Sequence, residues 1–167
     1  MKNIIALLCF SLVLFTSCEG DQGPPGESGG IFLAETFEVS GLNFNAGNDF
    51  TNRVSLDPNI FNDDVILVYR LLEVDNGLDV WEPLPSAPVY FFDDVTNEII
   101  GDLIYRFNFT VGDIDITLDT NVIDLVGPEY TNNQIFRIIV VPSEQANTLD
   151  IDFADFNAVQ SALNLEF

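Results

Sequence analysis

The sequence predicts an all-β domain over residues 31–167, an antiparallel β-sandwich of about seven strands with one short C-terminal helix. Three observations predict it. The segments after Ile31 are short and rich in β-branched and aromatic residues. Clusters of Asn, Asp, Gly and Pro separate them about every ten residues, the spacing of a sandwich. After Ser143 the apolar period changes, and Phe153, Phe156, Val159 and Leu163 recur at three or four residues, which is helical.

Phe32 to Leu42 reads as the first strand and Asn45 to Asp49 as the turn after it. Phe50 to Leu56 is a weaker second strand, stopped by Asp57-Pro58-Asn59. Asp64 to Val74 is apolar on both faces for much of its length, so it belongs at a central position. Asn76-Gly77 ends it, because both residue types tolerate the positive φ of a tight hairpin turn. Asp79 to Leu84 carries the single Trp, and Pro83, Pro85 and Pro88 bar a regular central strand there. Val89–Phe92, Ile99–Thr110, Ile114–Leu118 and Gln134–Val141 continue the series, with a hairpin through Val111-Gly112-Asp113. Phe153, Phe156, Val159 and Leu163 then mark one face of a helix, with Asp152 or Asp155 available as N-cap. An immunoglobulin-like topology is the most frequent member of this class, but no Cys pair flanks the Trp, so sandwich is the firmer description.

Charge and composition exclude several classes of function. The 167 residues hold 27 acids, 5 bases and no His, for a formal charge of −22. Without His there is no imidazole triad, metal ligand or acid–base step. Two Cys cannot build a Cys₄ zinc site or an iron–sulfur cluster. A surface this acidic does not suit phosphate backbones, so no nucleic-acid partner is expected. No P-loop, dinucleotide fingerprint or Gly-x-Ser-x-Gly is present. Neither catalytic residues nor a cofactor are expected.

The first thirty residues read as targeting and spacing. Lys2 precedes an apolar run from Ile4 to Phe15, shorter than the ~17–25 residues of a spanning helix. A basic start, an apolar stretch and then small residues make a secretory signal over 1–17. Phe15-Thr16-Ser17-Cys18 closes it and resembles the lipobox of a bacterial lipoprotein, although Leu14 stands one position before its usual place. That resemblance implies a thioether-linked diacylglycerol and an amide-linked acyl chain on Cys18. Each buried CH₂ contributes about 0.8 kcal/mol, so several chains hold a protein on a membrane without a transmembrane helix. Loss of residues 1–17 removes Lys2 and Cys9, leaving four Arg as the basic residues of the remainder. Residues 18–30 have glycines at 20, 23, 26 and 29 around Pro24-Pro25, a collagen-type period too short for a triple helix and read as a linker.

Lipobox, short Gly-X-Y run and acidic β-rich domain together resemble the collagen-like lipoproteins of Gram-negative bacteria, a group without an assigned activity. Val80-Trp81-Glu-Pro-Leu-Pro85 and Phe136-Arg-Ile-Ile-Val-Val-Pro142 add to the resemblance. It implies a place in the cell envelope, lipid-anchored to the outer membrane and surface-exposed, and says nothing of chemistry.

Within the domain one pattern recurs. Tyr69-Arg70, Tyr105-Arg106 and Phe136-Arg137 each put an aromatic residue and then an Arg in an apolar strand. Alternation sends each Arg to the face opposite its aromatic neighbour. With the three strands adjacent and in step, Arg70, Arg106 and Arg137 would share one sheet face as an anion or carboxylated-sugar site. Trp81 and the four Tyr could add a sugar-stacking platform. The plainer reading pairs each Arg with one of the many acids and puts the aromatics in the core or at strand edges; it is preferred here. Asp63-Asp64, Asp93-Asp94, Asp113/Asp115/Asp119 and Asp150/Asp152/Asp155 offer oxygen ligands for calcium, but none matches an EF-hand loop. Their plainer reading is as solvated strand faces and helix caps. The function expected is therefore a non-enzymatic, membrane-anchored interaction or structural module with a protein or glycan partner, and the alternative is a glycan-binding or glycan-processing lipoprotein. Cys18→Ala should move the protein from the membrane fraction to the soluble fraction. Retention in the membrane on fractionation would refute the lipid anchor.

Overall fold

The computed structural model describes residues 34–164, so the signal segment, Cys18 and the Gly/Pro linker lie outside the described residues. Strands β1 (Glu35–Leu42), β8 (Gln134–Val141), β3 (Val65–Asp75) and β4 (Leu78–Pro83) form one antiparallel sheet in that order. Strands β2 (Thr51–Ser55), β7 (Asp113–Thr120), β6 (Ile99–Phe109) and β5 (Val89–Phe92) form the second. The chain changes sheet after β1, β2, β4 and β7. This order differs from the immunoglobulin one, in which strands A, B, E and D face C, F and G. Short helices α1 (Pro128–Thr131), α2 (Ser143–Ala146) and α3 (Phe156–Leu163), with 3-10 turns at Ala46–Asn48 and Ile123–Leu125, complete the described elements. No helix among them is long and apolar enough to cross a membrane.

Alternation builds the core between the sheets. Ile66 and Val68 of β3, Phe136 and Ile138 of β8, Leu103 and Tyr105 of β6, and Ile114, Ile116 and Leu118 of β7 all point inward and are buried. Phe44, Tyr105 and Phe136 meet edge to face, with ring centroids 5.6 to 6.1 Å apart; such contacts contribute about 0.5–1.5 kcal/mol each beyond the area they bury. On β7 the intervening acids Asp113, Asp115 and Asp119 face outward, as their alternation with Ile114 and Ile116 predicts.

The first sheet is buried on its other face too. Tyr69, Ile139 and Val141 point away from the sandwich core and pack under α3, against Val159 and Leu163. Asp155 caps that helix, accepting from the N–H groups of Asn157 at 2.9 Å and Ala158 at 3.2 Å, and Asn164 ends it in the left-handed region. The Tyr69 hydroxyl donates to the Phe153 carbonyl at 2.9 Å, fixing the chain just before the helix. The architecture is thus three layers, helix on sheet on sheet; the sequence predicts the sandwich and the helix but not the sheet face that the helix covers.

Two turns behave as their residues require. Asn76 and Gly77 both have positive φ, 51° and 84°, and close the β3–β4 hairpin. Gly101 serves a different need. A Cβ there would run into the Val122 side chain and come within 2.5 Å of Asn121 Oδ1, the acceptor of the Asp102 N–H. Gly101→Ala should therefore lower stability by about 1–3 kcal/mol, the usual cost of overpacking. Urea unfolding should show a lower midpoint at unchanged slope; an unchanged midpoint would mean that the 121–122 segment yields freely.

Candidate functional site

The three Arg do not share a face. In the β3–β8 ladder Tyr69 lies opposite Arg137 and Arg70 opposite Phe136, so the two Arg fall on opposite faces of one sheet. Arg106 lies in the other sheet, exposed, with its Nη2 2.6 Å from Asp119. The expectation of a three-Arg anion face is therefore corrected, and the reason is register: a one-residue offset between antiparallel strands sends equivalent side chains to opposite sides.

Two of the Arg are instead buried and closed into polar contacts. Arg70 points into the sandwich, where its Nε donates to Gln134 Oε1 at 2.9 Å and its guanidinium lies 4.4 Å from the Tyr105 ring centre. Glu82 of β4 is 4.0 Å away. Gln134 turns its amide to the carbonyls of Glu129 and Asn132, so the buried group is satisfied on both sides. Arg137, only 4% exposed, lies on the outer face with its guanidinium 4.0 Å over Trp81 and 5.4 Å from Phe156 of α3. Its Nε donates to Glu38 of the neighbouring strand at 2.9 Å. The fold thus brings together two sets of predicted site residues, Arg70 with Tyr105 and Tyr130 at the inner core and Arg137 with Trp81 at the helix contact. Arg53 reaches Asp115 through two 2.7 Å hydrogen bonds, which hold that carboxyl below the ordinary range.

The aromatic residues are dispersed. Tyr105 is buried inside the sandwich, Tyr69 is buried under α3, and Tyr90 lies half-exposed on the edge strand β5. Trp81 already carries Arg137. No coplanar row of these rings arises from such positions. The acid pairs have local duties as well. Asp93 accepts from the N–H groups of Thr96 at 2.7 Å and Val95 at 2.9 Å, which hold its carboxyl below the usual value. Asp64 accepts from Phe61 and Ser143. Among the described residues no group of three or more acids converges as a metal site requires.

Two features not visible as motifs stand out at opposite ends of the sandwich. At one end β3 leaves β8 after Arg70 but stays paired with β4 to Asp75, while β6 is paired only with β5 before Leu103. Two double-stranded ribbons therefore project past the Tyr105–Phe136 layer on the same end. They carry exposed Leu72, Val74 and Leu78 on one and Tyr90, Phe92, Val95, Ile99 and Ile100 on the other. Val95, 92% exposed, is held at a turn that the Asp93 carboxylate fixes. Seven acids and no base accompany these residues over 71–80 and 89–102.

At the other end, where β1 begins, a groove of about 770 Å³ opens between the edge strands of the two sheets. Phe37, Leu56, Ile60 and Val140 form its apolar floor, and Glu35, Asp57, Asp63, Asp64 and Glu144 its rim. The 56–60 segment is pinned to the β6–β7 turn by the N–H of Leu56 to Gly112 at 2.8 Å and that of Ile60 to Val111 at 2.9 Å. What the fold and its surfaces define is a helix-backed antiparallel sandwich with an acidic, partly apolar surface at each end. Comparison with protein-family models, curated proteins and solved structures finds no match.

The buried phenols give this domain an alkaline limit. Burial, reinforced by Asp155 and Asp152, pushes Tyr69 from 10.0 up to about 12. Burial likewise raises Tyr105 to about 12, against the opposing pull of Arg70. Both therefore ionise first in the unfolded chain, so stability is complete below pH 10.0 and falls as pH rises from there towards about 12. Tyr69→Phe should shrink that fall, seen as a smaller difference between urea midpoints at pH about 8 and about 11. An equal difference in the variant would show that Tyr69 does not carry it.

Proposed function

We propose that the chain is a non-enzymatic, lipid-anchored surface lipoprotein of the bacterial envelope, with the sandwich serving as an interaction module. The observation that carries the second half of this reading is the pair of ribbons. Soluble domains bury such residues or leave them scattered; several large apolar side chains grouped on two adjacent projections mark a contact surface. The β-turns that end the ribbons are well hydrogen-bonded, so the apolar tips are presented in fixed positions and little ordering is needed on binding. The accompanying acids specify the partner's chemistry: a protein surface with an apolar patch ringed by Lys and Arg. The ribbons lie at the end of the domain opposite Glu35, the first residue of β1. The lipobox resemblance and the Gly/Pro spacer support the anchored setting, and the lack of His and of any nucleophile motif supports a role without catalysis.

A photoreactive residue placed at Val95 or Leu78 tests the reading on intact cells. Both positions should give a discrete protein adduct that weakens when salt is raised, and Asn108 on the outer face of β6 should not. Equal adducts from Asn108, or none from Val95 and Leu78, would refute it.

A further inference from the structure

We infer that the groove between β1 and β2 is a second binding site, for a basic amphipathic peptide segment. The inference rests on the interaction-module reading but not on the ribbons. The groove's volume of about 770 Å³ lies within the ~300–1,000 Å³ of typical ligand sites. Its floor is built rather than incidental. Leu56 is part of the main core, and Phe37, Ile60 and Val140 pack against that core from the groove side. Phe61 stands at the mouth, 72% exposed, an apolar ring with no burial to justify its position in the free protein.

Charge selects the occupant. Five carboxylates surround the floor from separate stations, Glu35 on β1, Asp57 and Asp63-Asp64 on the loop after β2, and Glu144 on α2. No Arg lines the groove. Each of the four is engaged elsewhere: Arg53 with Asp115, Arg70 with Gln134, Arg106 with Asp119 and Arg137 with Glu38. The negative field over the groove is therefore not neutralised from within, and low-dielectric walls concentrate it. The carboxylates do not converge on a point, as a metal ion would need. They flank an apolar trough, which calls for several cations spaced along an apolar body. A single small amine pairs with one station; an extended peptide alternating basic and apolar side chains reaches them all. The wall favours the same occupant. β1 is an edge strand, with β8 on one side and no partner strand on the other among the described residues, so its free backbone groups can pair with an added chain.

The test uses the full-length protein and fluorescently labelled peptides. A short peptide alternating Lys and Leu should bind, by anisotropy at low salt, at least about tenfold more tightly than Lys/Ser or Glu/Leu peptides of equal length. The combined variant Glu35→Gln, Asp63→Asn, Glu144→Gln should lose about tenfold in affinity, and so should Phe61→Ala, whose ring is too exposed to matter for folding. Val95→Ser with Leu78→Ser should change nothing. Asp64 is left intact because it holds the Phe61 and Ser143 N–H groups. The inference is overturned if no peptide binds, if Lys/Ser binds as well as Lys/Leu, or if the groove variants bind like the parent. Loss of binding in the ribbon variant alone would place the peptide on the ribbons, sinking the groove and sparing the interaction module. A dimer in sedimentation that the groove variants abolish would make the occupant a second copy of the chain, and this too would overturn it.

Discussion

The pairing register of β3 with β8 governs the rest of the structure. Tyr69 opposite Arg137 and Arg70 opposite Phe136 leave apolar residues on both faces of both strands. A sheet whose two central strands are apolar on both sides must be covered on both sides. The second sheet supplies one cover and α3 the other. A slip of one residue would swap Tyr69 for Arg70 and Phe136 for Arg137 on each face, and neither cover would find its partners. The C-terminal helix is therefore a required layer of the domain, and the Asp155 cap and the Tyr69–Phe153 hydrogen bond serve that layer rather than any chemistry.

Scarcity of cations follows a related logic. Two of the domain's four Arg sit where the register would otherwise strand polar backbone or acids against aromatic rings. Arg70 joins Gln134, Glu82 and Tyr105 at the open end of the inner core; Arg137 joins Glu38, Trp81 and Phe156 at the helix contact. Guanidinium suits both places because its plane stacks on a ring while its edge donates in the same plane. A cation–π contact of this kind contributes from about 0.5 to 2 kcal/mol as it becomes desolvated. With the Arg held by acids and rings of their own, no Arg lines the groove, and of the ribbon acids Asp79 lies 4.0 Å from Arg137.

Much of the fold was legible in the sequence. Period-two alternation located β7 and separated Ile114 and Ile116 from Asp113 and Asp115; Asn76-Gly77 located a hairpin; the spacing of Phe156, Val159 and Leu163, with Asp152 or Asp155 as cap, located α3, and the structure selects Asp155. These are local signals, written in neighbouring residues. What failed was the grouping of Arg70, Arg106 and Arg137, because strand order and register are non-local and a motif repeated on three strands carries no information about either. The packing of α3 was not legible for the same reason: the helix pattern shows an apolar face but not which surface receives it. The two end surfaces left only faint marks. The apolar Phe-Phe and Ile-Ile around Asp93-Asp94, and the isolated Phe61 between Asn and Asp residues, read naturally as strand ends and a loop.

The groove itself follows from unequal strands. β2 runs for five residues while β1, which stands over it, runs for eight. After Ser55 the chain leaves the second sheet and is drawn along the β6–β7 turn by the Leu56 and Ile60 N–H groups. It therefore does not rise to cover the inward faces of Phe37 and Val140, which lie on strands that continue past that level. β7 begins at Asp113, opposite Ser55, so β2 has no further partner residue there and Phe37 is only partly buried. The loop that follows β2 returns to the first sheet through Asp63 and Asp64, so the same detour that leaves the apolar floor open also brings two carboxylates to its edge. Apolar depth and acidic rim are thus one consequence of a single short strand, and a ligand that satisfies one meets the other.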